Sequence, residues 1–219
     1  MLSTADPILL IVIFVGLAIA PFAAMMATSF TKIAVVLNLL RNALGVQQIP
    51  PTIVLNGLAI ILSIYVMYPV GIAAYQSAEA NINVQQNHMN ISSLLSIVDD
   101  AKKPLKDFLI KHSRPNEREF FMASSKTVMG EQAASTLKDD DLVILLPAFV
   151  SAELTQAFQI GFLLFLPFIV IDMIVAAVLM AMGMQMMSPT TISLPIKLLL
   201  FVMLDGWSRL LHALVLSYR

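Results

Sequence analysis

Residues 142–187 read "LVILLPAFVSAELTQAFQIGFLLFLPFIVIDMIVAAVLMAMGMQMM" and carry two charges in 46 positions, Glu153 and Asp172. A straight helix of that length would run roughly 69 Å, against a hydrocarbon core of about 30 Å. Pro147 and Pro167 interrupt the run without supplying a polar turn. The stretch therefore predicts a bent helix or a hairpin covered by other protein rather than a single membrane crossing. It closes in "MAMGMQMMSP", residues 180–189, where five of the chain's 14 methionines fall within ten positions beside a Ser-Pro break.

Outward from that run the chain is 58% hydrophobic and 12% charged over 219 residues, with a mean hydropathy of +0.85. Soluble domains are about half apolar and a quarter charged, so this composition is of the membrane class. A net charge of −1 gives no reason to expect a nucleic-acid partner. With no cysteine, disulfides and thiolate chemistry are excluded. Pro7 to Ala27 is uncharged and about long enough to span a bilayer; it lacks an early Lys or Arg and follows Asp6, as expected of a retained segment rather than a cleaved signal. Gly16, Ala20, Ala24 and Thr28 make a small-residue stripe suited to close helix approach, and Pro21 should kink this helix. A second uncharged stretch, Thr52 to Gln76, contains Pro69.

Eight of the 13 Lys/Arg and ten of the 14 Asp/Glu lie between Glu79 and Asp141. The chain thus divides into an apolar block at 1–76, a polar insertion at 77–141 and a second apolar block at 142–219. In the insertion Ile91, Leu94, Leu95 and Val98 form one helical set and Leu105, Phe108, Leu109 and His112 another, with Pro104 between them and Gly130 as a helix stop. A small helical subdomain facing water is expected. Lys32 and Arg41 follow the first span with no acid, and Lys197 follows the third; counted as loop cations they place those loops in the cytoplasm and the insertion outside, although Arg209 and Arg219 argue the other way.

The final stretch, Ile192 to Tyr218, holds Lys197, Asp205, Arg209 and His212, too many polar groups for a helix facing lipid. Asp172 and Lys197 flank the methionine run, one on each arm of a hairpin. A lone charge in a dry interior costs several kcal/mol, so they are expected to pair, within or between subunits. A proton relay is the competing reading. Glu153, Asp205, Lys32 and Arg41 follow the same logic, with no evident partner for Glu153 or Asp205.

No phosphate-binding loop, dinucleotide fingerprint, zinc-hydrolase pair or nucleophile elbow occurs, and the three histidines stand apart. The methionines have three readings. Met173, Met180 and Met203 suit gap filling. Thioethers bind Cu(I), which keeps a copper or small-ion transporter as the alternative function, although no Cys or His accompanies them. The third reading is a deformable hydrophobic seal, which needs several copies because one loop cannot form a ring.

"TSFTKIAVVLNLLRNALGVQQIPP" and "LLPAFVSAELTQAFQIGFLLFLPFIVIDMIVAAVLMAMGMQMMSPTTISLPIKLLLFVMLDGW" resemble the two signatures of an export-gate family, called FliP in flagella and SctR in type III secretion injectisomes. The start without a signal sequence is more similar to the SctR branch. The resemblance implies an all-α protein of kinked helical hairpins with a small extracytoplasmic insertion. Five copies would wind with SctS-like and SctT-like subunits into a helical cone, with SctU-like and SctV-like proteins nearby. It implies no enzyme and no cofactor, but a pore passing unfolded secreted proteins across the bacterial inner membrane, with membrane lipid around it and the complex projecting to the periplasmic side. The family's methionine gasket maps onto Met182, Met184, Met186 and Met187. Gln185 departs from the usual unbroken run, and Asp172 and Lys197 match family positions of like charge.

Overall fold

The computed structural model describes residues 7–46, 48–84, 91–184 and 186–219, and every element among them is a helix: α1 (Pro7–Met26), α2 (Phe30–Leu44), α3 (Thr52–Val84), α4 (Ile91–His112), α5 (Pro115–Met129), α6 (Glu131–Ala134), α7 (Leu142–Ala181), α8 (Pro189–Met203) and α9 (Gly206–Leu216). Asp6, His88 and Gln185 lie outside the described residues, as do the side chains of Ile91, Leu94, Leu95 and Val98.

α2 is the centre of the core. Ile33, Val36, Leu37, Leu40 and Leu44 recur at helical spacing and are buried against Leu145 and Phe149 of α7, Leu55 of α3, Leu109 of α4 and Leu214 of α9. The segment read as a cationic connection between two spans is thus the most enclosed helix of the chain. Its crossing with α7 is close: a Cβ on Gly161 would stand 2.3 Å from Leu39 Cδ1. A larger residue there would require the Leu39 side chain to move aside.

Within 142–187 the hairpin turn falls beyond the end of α7 and not at either proline. α7 continues through Pro147 and Pro167 as one helix of 40 residues, about 60 Å long. Each proline removes one hydrogen-bond donor, but the flanking turns and, for the first half, packing on α2, α4 and α5 hold the helical path. α1 and α4 likewise run through Pro21 and Pro104. At the breaks between helices the chain bends by 58° between α1 and α2 and by 62° between α8 and α9. At the second, Asp205 adopts the left-handed conformation (φ 56°), and the missing Cβ of Gly206 leaves room for the Phe201 ring, which it would otherwise meet at 2.3 Å.

α3 and α7 are long and apolar enough to cross a membrane, and up to four spans result if each bent pair counts as one. α3 passes residue 77 without interruption and ends at Val84; from the insertion, Phe108 and Leu109 enter the common core, Leu105 packs against it, and Gly130 (φ 84°) terminates α5. Among the described residues, the small-residue stripe on α1 meets no other helix at Gly16, where nothing lies within 4 Å of a Cβ position.

The chain exposes 14,699 Å². A globular monomer of 24.0 kDa exposes about 9,900 Å², so roughly half as much again is open here. Large apolar side chains are prominent on it: Phe158, Phe162, Leu163, Val170 and Ile174 on α7 and Leu199 and Val202 on α8 all face outward.

Candidate functional site

The α7–α8 hairpin carries the candidate site at its tip and near its base. At the tip, α7 ends in a Schellman motif. Gly183 (φ 74°) donates its N–H to Met180 O at 3.0 Å and Met184 donates to Leu179 O at 2.9 Å, which satisfies two of the helix's last carbonyls. Ser188 then stands at the N-cap position of α8, its carbonyl accepting from Thr191 N–H at 3.2 Å, and Pro189 occupies the first turn, where a missing N–H costs nothing. Backbone hydrogen bonds thus flank the tip on both sides, while the methionine side chains between them are open. Met186 is wholly exposed, and Met182, Met184 and Met187 are all open. Met173, Met180 and Met203, expected as gap fillers, are also exposed along the shafts, so they fill nothing within this chain.

Nearer the base, Lys197 Nζ lies 2.6 Å from Asp172 Oδ2, and Ser193 Oγ donates to the other carboxylate oxygen at 2.5 Å. The Lys197 side chain is 6% exposed and that of Asp172 33%. Lys197 also donates to Ala43 O at 3.4 Å, at the C-terminal end of α2 where the helix dipole favours a cation. α2 ends there on Gly45 in the left-handed conformation (φ 76°), with Lys197 Nζ 3.9 Å from where a Cβ would be. One ammonium thus ties α7, α8 and α2 together.

A second cluster lies deeper. Lys32 of α2 and Glu153 of α7 are fully buried with Nζ and Oε1 3.2 Å apart. Lys32 gives its aligned hydrogen bond to Gln156 Oε1 at 3.1 Å and stands 3.7 Å above the Tyr218 ring, a cation–π contact. The Tyr218 hydroxyl donates to Glu153 Oε2, and its ring stacks on Phe108 with His112 at its edge. Glu153 has the partner that sequence reading did not find. The signal was present, because Lys32 shares a helical face with Val36 and Leu40 and so had to point inward.

Two other charges depart from expectation. Asp205 is exposed and serves as the left-handed turn before α9, while Arg41 is part-exposed and donates to Thr52 Oγ1 at 2.8 Å. Among the described residues neither forms an ion pair. The orientation argument also loses its premise, since Lys32 and Lys197 are buried helical residues rather than loop cations. On α4, outside the spans, burial and the nearby Lys111 and Lys32 charges push His112 down to about 4.

Among the described residues, no three of His, Cys, Asp and Glu converge to hold a metal ion. The geometry brings together two internal charge clusters and one exposed sulfur-rich tip. A model of the FliP family matches residues 13–214. The chain belongs to the FliP family. It is 53% identical over 210 residues to the hypersensitivity response secretion protein HrcR of Ralstonia nicotianae, covering 96% of each chain. It is 53% identical over 218 residues to the Yop proteins translocation protein R of Yersinia pestis, covering 100% of this chain and 99% of that one. The surface presentation of antigens protein SpaP of Salmonella typhimurium is 45% identical over 205 residues, 90% of each chain. These relatives place the chain in the SctR branch of the FliP family, a structural component of the type III secretion export apparatus in the inner membrane and not an enzyme.

Proposed function

We propose that this FliP-family chain forms the wall and the seal of the export pore. Several copies, five by family resemblance, wind with SctS-like and SctT-like subunits into a helical cone that projects to the periplasmic side, beside SctU-like and SctV-like proteins. The apolar blocks at 1–76 and 142–219 build the wall, and the insertion at 77–141 faces the extracytoplasmic side. Met182, Met184, Met186 and Met187 from each copy meet at the axis as a gasket through which unfolded secreted proteins leave.

The observation that carries this reading is the tip itself, where the Gly183 motif and the first turn of α8 flank open methionines beyond an apolar hairpin. Methionine is apolar, unbranched and able to repack, so a ring of such tips excludes ions at rest and yields to chains of varied sequence. The Asp172–Lys197 and Lys32–Glu153 pairs hold the hairpin at a fixed angle to α2. Deleting Met184 to Met187 is expected to give an assembled complex that conducts ions in planar bilayers. Unchanged resting conductance in a fully assembled deletion complex would remove the gasket role.

A further inference from the structure

α3 carries three of the chain's four tyrosines, Tyr65, Tyr68 and Tyr75, all about two-thirds exposed. Helical spacing puts them on one outward stripe with Ile61, Ile64 and Ile72, each also exposed. Their order along the helix is graded. From Ile53 to Ile64 the exposed side chains are aliphatic; the tyrosines follow; Gln76 and Glu79 come last and are exposed. Among the described residues the three tyrosine hydroxyls have no hydrogen-bond partner. A protein partner can cover an apolar face in any order, but an order set by depth is what a planar boundary between hydrocarbon and water selects, with tyrosine at the headgroups.

The neighbours of α3 change character at the same level. A groove beside Val66–Ala73 is lined by Asp107, Lys111 and His112 of α4, with Asp107 and Lys111 exposed. A second groove sets Arg219, exposed, beside Tyr65 and Tyr68. Tyr218 borders both grooves and bonds Glu153, which fixes the corresponding level on α7. Just above Glu153 on α7, Ser151 Oγ donates to Glu117 of the insertion at 2.9 Å, and the exposed apolar run of α7 begins below it at Phe158. Exposed charges of both signs at the level of Val66–Ala73 exclude hydrocarbon from that depth.

We infer that the outer stripe of α3 is a phospholipid contact, with the hydrocarbon ending near Ile64, the headgroups at Tyr65 and Tyr68, and Tyr75 at the outer edge of that layer. Ile53 to Ile64 then give α3 about 18 Å in hydrocarbon, against about 30 Å for a full crossing. α3 is an incomplete span despite its apolar length, and the bilayer beside it is thinned or entered by one leaflet only. The inference rests on the membrane reading of this chain and not on the methionine seal.

The chain's lack of cysteine makes single-site labelling clean. Nitroxides at Ile61→Cys, Tyr68→Cys and Tyr75→Cys, in the complex assembled with its companion subunits in phospholipid nanodiscs, are compared for relaxation by oxygen and by a water-soluble nickel chelate. The expected logarithmic ratio of the two accessibilities favours oxygen at 61, changes sign near 68 and favours nickel at 75. Ile64→Cys and Ile72→Cys lie on the same stripe and bracket the crossover if a tyrosine variant does not assemble. A label at 68 as shielded from nickel as one at 61 would make α3 a full span. Labels shielded from both reagents at every site would mean that protein covers the stripe. Either result overturns the inference, while a change in ion leakage from the tip deletion leaves it untouched.

Discussion

Lys32 shows how little a charged residue's type says about its place. Its side chain is fully buried, yet it is held by Glu153, Gln156 and the Tyr218 ring. Removing one partner of such a pair leaves an uncompensated charge and costs about 3–5 kcal/mol, whereas replacing both by apolar groups is often neutral. Lys32→Met alone is therefore expected to lower the stability of the complex by about that amount, read as loss of assembled particle and a lower melting temperature. Lys32→Met with Glu153→Leu should recover most of the loss. If the double variant is as damaged as the single one, the pair does more than satisfy its own charges. At this scale sequence reading found the need for pairing but mistook the geometry. The position of Lys32 after a span suggests a loop cation, whereas its spacing from Val36 and Leu40 places it on an apolar face. Nothing in the local sequence revealed that Asp205 would be a solvent-exposed turn, since that depends on the Phe201 ring closing over Gly206.

Among the elements, α8 and α9 form a bend whose sharpness depends on one missing methyl group. Gly206→Ala would drive a Cβ to within 2.3 Å of the Phe201 ring. Overpacking of this kind costs about 1–3 kcal/mol, so the variant should melt lower. Combining it with Phe201→Leu should cost less than the sum of the single changes, because the two groups compete for one space. α4 supplies a pH dependence. The His112 side chain has a folded-state pKa near 4 against an ordinary value of 6.5, so the unfolded chain binds the proton more readily. Its stabilising contribution is complete above about pH 6.5 and is lost as the pH falls toward about 4. Melting temperatures across that window should fall less steeply for His112→Asn than for the parent complex. The length and apolarity of α3 and α7 were plain from composition. The continuity of α7 was not, because proline weakens an isolated helix and only the packing of α2, α4 and α5 on its first half offsets that tendency.

For the molecule as a whole, the decisive quantity is its surface. A chain that exposes 14,699 Å², with apolar side chains over α1, α3, α7 and α8, has not finished burying itself. Native mass measurement is expected to find several copies of this chain with smaller hydrophobic partners, and a stable lone monomer would contradict the reading. The need for companions was legible in the hydropathy and in the surplus length of residues 142–187. Which side of the membrane each end occupies was not, because two of the three cations that would report orientation, Lys32 and Lys197, are paired inside the fold with Glu153 and Asp172.

The grip of Lys197 on the end of α2 has a mechanical result. An arm clamped to its neighbour at that point cannot flex there without stripping an ammonium of both its carboxylate and the Ala43 carbonyl. Hairpin and α2 must swing as one lever, so any widening of a central passage falls to the compliant thioethers at the far end or to sliding between whole subunits.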